Sequence, residues 1–194
     1  MVKQALRRAL LVLLLVGTVA PAAAQRTEEI AVHAAYLVNF VRYTRWPDGD
    51  ERPAWVIAVI GTQEAADAIA AVVRRVPAIE GRRMVVRHVG VIAVAPHRDQ
   101  AIPALQRGIG DAHVVYVAES HASWHAALVE ATAGEPVLTV GAGPGFVAAG
   151  GMFELFPSRG HVYFGANAPV LALSPVRVSA RVINLARPLP AREG

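Results

Sequence analysis

A chain of 194 residues that is 54% hydrophobic and 18% charged carries enough apolar material to build a packed core, and it contains no cysteine. Disulfides, thiolate chemistry and N-terminal lipid attachment are thereby excluded. The formal net charge of +4 owes three of its 19 basic residues to Lys3, Arg7 and Arg8; beyond them 16 basic residues face 15 acidic ones, which leaves no electrostatic footprint for nucleic acid.

Lys3, Arg7 and Arg8 precede an uncharged run over residues 9–24 that ends in Pro21-Ala22-Ala23-Ala24. A charged start, a short apolar stretch and small residues before a cut predict a cleaved secretory leader over residues 1–24. A membrane anchor would want about 20 consecutive apolar residues, and Gly17 and Pro21 break this run. Residues 25–194 then form one exported domain, placed in the periplasm, where disulfides are permitted but absent.

Val32, Tyr36, Phe40 and Tyr43 recur at helical spacing and predict an amphipathic helix over residues 31–46, closed where Pro47 disfavours α geometry at Trp46. The run Trp55-Val56-Ile57-Ala58-Val59-Ile60, ended by Gly61, reads as a buried strand. Helix follows over residues 64–75, strand over 84–89, and a short helix over 99–107 interrupted near Pro103. A third strand covers residues 113–118. Ser120 is placed to cap a helix over 121–132, and Val137-Leu138-Thr139-Val140 is a fourth strand. Residues 152–156 and 161–164 flank Pro157-Ser158-Arg159-Gly160 and predict a hairpin, with a last helix over 176–186 carrying Val178, Val182 and Leu185 on one face and a tail over 187–194. Strands alternating with helices predict an α/β fold, a single domain whose mixed, mostly parallel sheet of about six strands is flanked by about five helices and closed by a C-terminal β-hairpin and helix.

Few constellations carry chemistry. Gly141-Ala142-Gly143-Pro144-Gly145 follows a strand but lacks the spacing of a dinucleotide loop and the Lys-Ser/Thr of a phosphate loop, and Pro144 removes one amide donor. His121 and His125 have the i, i+4 spacing of two metal ligands; a third ligand and an adjacent glutamate are missing, so a pair on a solvated face is expected rather than a metal-dependent hydrolase. His33, His88, His97, His113 and His161 show no grouping in sequence. No nucleophile motif occurs, and Glu119, Glu130 and Glu154 show no acid–base pairing. Nothing in the residues argues positively for an enzyme, and no cofactor or metal is expected.

The stretches AAYLVNF at 34–40 and RYTRWP at 42–47 resemble, nearly position by position, the segment behind the leader in the YfiR-like family of periplasmic proteins. DAHVVY at 111–116, LTVG at 138–141, Gly151-Met152 and VRVSARVINLA at 176–186 follow in the family's order. Two features depart from it: Ala112 stands where members often carry cysteine, and Pro169 and Pro175 interrupt a segment that usually runs on as helix. The resemblance implies a non-enzymatic, homodimeric regulator that represses an inner-membrane signalling protein, a diguanylate cyclase or a sensor kinase, through its periplasmic domain, and so limits cyclic di-GMP and biofilm formation. Arg45, Phe153, Phe156 and Arg159 are the candidate contact residues, with ordinary strand burial the favoured alternative for the two phenylalanines. The alternative is a periplasmic small-ligand sensor with its pocket near residues 141–151.

Overall fold

A computed structural model describes residues 22–90 and 98–190. Residues 1–21 of the expected leader, His97 and the last four residues of the tail lie outside the described residues.

Six strands form the main sheet: β2 (Ala54–Ile60), β3 (Arg83–Val89), β4 (Val114–Val117), β5 (Leu138–Ala142), β6 (Phe153–Ser158) and β7 (His161–Ala166). Their spatial order is β3-β2-β4-β5-β6-β7, parallel throughout except for the β6–β7 hairpin. The predicted mixed, mostly parallel sheet is what forms. Strands covered on both faces read as unbroken apolar runs, which is why β2 and β4 lack polar alternation.

Side chains alternate across the pleat and so divide into two cores. Trp55, Ile57, Val59, Val114 and Tyr116 point to one face, where they meet helices α1 (Ala22–Arg42) and α2 (Gln63–Val73). Val56, Ala58, Ile60, Val115 and Val117 point to the other, against α3 (Arg98–Ile109) and α4 (His125–Ala131). Three layers result, with the sheet in the middle.

Helix α1 differs from its expected form. It stops at Arg42, and Trp46 lies beyond it, packed on Trp55 at 5.0 Å between ring centres. Between them, the two-residue strand β1 (Thr44–Arg45) pairs antiparallel with β8 (Arg177–Val178). The buried stripe is also rotated: His33, Leu37, Phe40 and Val41 are inside, whereas Val32 and Tyr43 are exposed. Phe40 stacks on Phe153 of β6 at 4.4 Å, the central contact of the first core.

The closing segment departs further. The expected helix over 176–186 shrinks to α6 (Ala180–Ile183), because Arg177 and Val178 are committed to the β1 ladder and Ser179 caps what remains. Val182 is buried but Leu185 is 70% exposed. Pro169 does not interrupt a helix; it sits in the first turn of α5 (Ala168–Leu173), where its missing N–H costs nothing. Likewise, the expected helix over 121–132 is a 3-10 segment (Glu119–Trp124) followed by α4, broken at His121, whose backbone (φ −122°, ψ 25°) is not helical. Ser120 therefore caps nothing; its hydroxyl lies 2.8 Å from His121 Nδ1.

Candidate functional site

The chain leaves β2 toward β3 on one side and returns to β4 on the other. At the carboxyl ends of β2 and β4 the connections therefore diverge, and in doubly wound sheets that crevice is where ligands bind. A cavity of about 370 Å³ lies there. Its walls come from three directions: Arg26, Glu29 and His33 from α1; Thr62 and Ala65 from the start of α2; Tyr116, Glu119 and Ser120 from β4 and the segment after it.

Two of the cavity's polar side chains are buried, His33 at 4% and Tyr116 at 2% exposure. His33 Nδ1 lies 2.8 Å from the Tyr116 hydroxyl, across 83 residues of sequence. Burial lowers the His33 pKa to about 4, so the ring is neutral at physiological pH. Tyr116 is held above its usual range, first by burial and then by the charges of Glu29 and Glu119, so its phenol stays protonated. We assign the tautomer in which the phenol donates to Nδ1, and the second His33 nitrogen, the one that faces Glu29, then carries the imidazole proton. That Nε2 finds no hydrogen-bond acceptor among the described residues. Glu29 Oε1, one helical turn away, stands 3.7 Å from it, too far for a hydrogen bond.

The start of α2 opens on the same cavity but is not free to take an anion. Thr62 Oγ1 accepts from the Ala65 amide at 3.2 Å, and the Glu64 carboxylate is held below its usual range by its own backbone amide and then by Thr62. The helix end already carries its own negative charge.

The glycine-rich segment is a second loop at this end of the sheet, and it is closed from within. Glu154, buried on β6, accepts from the Gly145 amide at 3.1 Å and the Val147 amide at 2.9 Å through one oxygen. Gly145 adopts φ +100°, a left-handed conformation that favours glycine and turns its amide inward. The cradle that a phosphate would use is filled by an internal carboxylate. Near it lies a smaller cavity of about 270 Å³ lined by Val129, Thr139, Gly150, Met152 and Leu173. The polar cavity meets residues 141–151 only at Ala142.

At the opposite end of the sheet, Asp50 gathers three partners. Arg52 Nε reaches Oδ1 at 2.8 Å, Arg82 Nη1 lies 3.5 Å from Oδ2, and His113 Nε2 donates to Oδ2 at 2.8 Å. His113 Nδ1 accepts from the Val56 amide at 3.0 Å, which settles its tautomer. The Arg52 hydrogen bond, above all, holds Asp50 well below the carboxylate range. Arg82 also lies over the Trp55 ring at 3.6 Å. This network ties the loop before β2 to the start of β4 and is fully occupied by its own members.

Of the other expected residues, His125 is buried with its ring edge-on to Phe146 at 5.0 Å, while His121 stands on the 3-10 segment; the two do not share a solvated helix face. Among the described residues no group of three or more His, Cys, Asp or Glu side chains is arranged to hold a metal. Phe153 is fully buried against Phe40, which is the strand burial weighed against its contact role. Phe156 is buried beside Tyr163. Arg45 and Arg159 are exposed, the latter at the hairpin turn with φ +50°.

Sequence reasoning missed His33 and Tyr116 as a pair, and Glu154 as the loop's anion. Both pairings join residues on different elements, and only the period of each element is written in the sequence. An inward polar residue in an apolar stripe, His33 beside Ala34 and Leu37, is the one local signal that could have marked the cavity.

Residues 30–187 match a family model described as YfiR/HmsC-like, and the chain belongs to that family. No curated protein matches the chain.

Proposed function

We propose that this YfiR/HmsC-like protein is a periplasmic repressor that holds the periplasmic domain of an inner-membrane diguanylate cyclase in its inactive state. The observation that carries the reading is the family match over residues 30–187, which takes in the whole main sheet and both cores. The family is one of periplasmic regulators, and such a role needs differential binding to two states of a partner rather than a reacting centre. Moving a two-state partner from 99% active to 99% inactive takes about 5.5 kcal/mol of differential affinity. An interface of ordinary size supplies that. Exposed Arg45 and Arg159, with the hairpin that carries Phe156, are the proposed contact surface, and the repressor works as a homodimer. Residues 1–24 are its cleaved export leader.

Deleting the gene and quantifying cyclic di-GMP tests the reading. The expected results are a rise of severalfold, reversed by the intact gene, and recovery of a cyclase with the tagged protein from solubilised inner membrane. Unchanged cyclic di-GMP and no cyclase in the eluate would overturn it. The N-terminal sequence of the exported protein should begin at Gln25.

A second reading, a small-molecule sensor, is favoured by one observation, the cavity at the divergence of β2 and β4.

A further inference from the structure

We infer that the cavity between α1 and the carboxyl ends of β2 and β4 binds a neutral, polyhydroxylated molecule of about monosaccharide size. The inference starts from a donor and an acceptor that do not reach one another. His33 Nε2 is buried and has no acceptor among the described residues, and Glu29 Oε1 stands 3.7 Å away on the cavity wall. Because Nδ1 faces Tyr116 in the core, Nε2 faces the Glu29 side, toward the cavity. A buried donor without an acceptor costs about 1–3 kcal/mol. A ligand that satisfies it recovers that cost.

The chemistry of the two atoms selects the ligand. A hydroxyl accepts from Nε2–H and donates to the Glu29 carboxylate at the same time, and it can stand within hydrogen-bond reach of both. An ammonium group would pair with Glu29 and Glu119 but has no lone pair for Nε2–H. A carboxylate or phosphate would satisfy Nε2–H, yet it would face Glu29 and Glu119, and the start of α2 already carries the Glu64 carboxylate. A neutral hydroxyl suits both sides through a single atom.

The remaining walls fit a molecule with several hydroxyls. Glu119 supplies a second carboxylate acceptor, Ser120 a hydroxyl that donates or accepts, and Arg26 a fork of donors at the rim. The small side chains Ala65 and Ala118 leave an apolar surface for the C–H face of a ring. A volume of about 370 Å³ lies at the small end of ligand sites. Since α1 contributes Arg26, Glu29 and His33 at one end and the start of the β1–β8 ladder at the other, an occupant bears on the same helix that supports exposed Arg45.

Isothermal titration calorimetry on the purified exported chain tests this with D-glucose, D-galactose, D-ribose and myo-inositol, each run separately, and with 1,4-diaminobutane and acetate as charged counterparts. At least one of the four polyols should titrate saturably at one per chain. Glu29→Ala should weaken it at least tenfold, and Glu51→Gln, away from the cavity, should leave it unchanged. His33→Phe should abolish it, with the unfolding transition of that variant measured to show that it folds. Saturable binding of the diamine or of acetate in place of the polyols overturns the inference, as does the absence of binding by all four polyols. So does binding that survives Glu29→Ala unchanged. The measurement involves no cyclase, so its failure leaves the repressor reading standing, and the reverse holds.

Discussion

Burying His33 as a neutral ring makes the protein acid-sensitive well above the range where carboxylates titrate. Its folded pKa is about 4 against an ordinary 6.5, and burial is the cause. Glu29, 3.7 Å away, is 39% exposed and screened by solvent, so it does little to shelter a proton on the ring. Between those two values the unfolded chain binds a proton that the folded chain does not. Stability therefore rises with pH through this window, is complete above about pH 7, and falls as pH drops toward 4. The full difference amounts to about 3 kcal/mol, of which about 2 kcal/mol is lost by pH 5. Against a total of about 5–15 kcal/mol that loss is large. Urea unfolding of the parent and of His33→Gln at pH 7.5 and at pH 5 isolates it, because Gln is neutral at both. Burial also lowers His113 and His125, but they act alike in both proteins and cancel in the comparison. The parent should lose about 2 kcal/mol more than the variant between the two conditions. Losses equal within about 0.5 kcal/mol would refute the reasoning, since His33 would then not be buried in a neutral form.

Glu154→Ala removes the acceptor of two amides and leaves them without a partner, so it should cost about 3 kcal/mol, seen as a fall of about 6–12 °C in Tm, whereas Glu154→Gln, which keeps an acceptor oxygen, should cost less than half as much. Gly151→Ala would drive a methyl into the Phe146 ring and should destabilise by about 1–3 kcal/mol; Phe146→Leu in the same chain should recover part of the loss, and additive effects in a double-mutant cycle would show that the two do not touch. Asp50→Ala strands Arg52, Arg82 and His113 and should cost about 3–5 kcal/mol by chemical unfolding. Because the folded pKa of Asp50 is depressed, its contribution is present above the ordinary carboxylate pKa and is lost as pH falls below it. The parent should therefore lose stability below about pH 4 that Asp50→Asn has already lost, a window separate from that of His33.

What could be read from the sequence depended on the range over which each feature is determined. The parallel strands were legible because burial on both faces leaves Trp55 to Ile60 and Val114 to Val117 with no polar alternation, a local signature. The hairpin was legible from Pro157 to Gly160 for the same reason. Helix α1 was legible as a helix but its face was not: aromatic Tyr43 suggested the core, yet the buried stripe passes through Ala34 and Leu37, because a small residue lets the helix approach the sheet closely. The closing segment failed for a non-local reason. Arg177 and Val178 have helical neighbours in sequence, but Thr44 and Arg45 offer an unpaired edge 133 positions earlier, and a ladder there outweighs one more helical turn. The expected contact residues divide on the same principle: Arg45 and Arg159 sit at a strand end and a turn, where a side chain is exposed whatever the partner element, while Phe153 lies mid-strand and is claimed by Phe40.

The two glycine-flanked loops at the carboxyl end of the sheet then divide the work in a way that residue types alone do not reveal. The loop after β5 has the backbone of an anion site, but Glu154 fills it, and the result is a rigid connection between the parallel strands β5 and β6 made without an intervening helix. The loop after β2 has an ordinary capped helix start, Thr62 with Glu64, and it is here that the sheet leaves room. Helix α1, which precedes the alternating strand–helix units, covers that room and supplies three of its seven polar side chains, Arg26, Glu29 and His33. A ligand at this crevice therefore touches the one element that also begins the β1–β8 pairing at the far end. Regulation by such a ligand would need no hinge between domains. It would need only a change in how α1 lies on the sheet, felt at Tyr43, whose carbonyl accepts the Ser179 amide at 2.9 Å, and at Arg45 two residues further on.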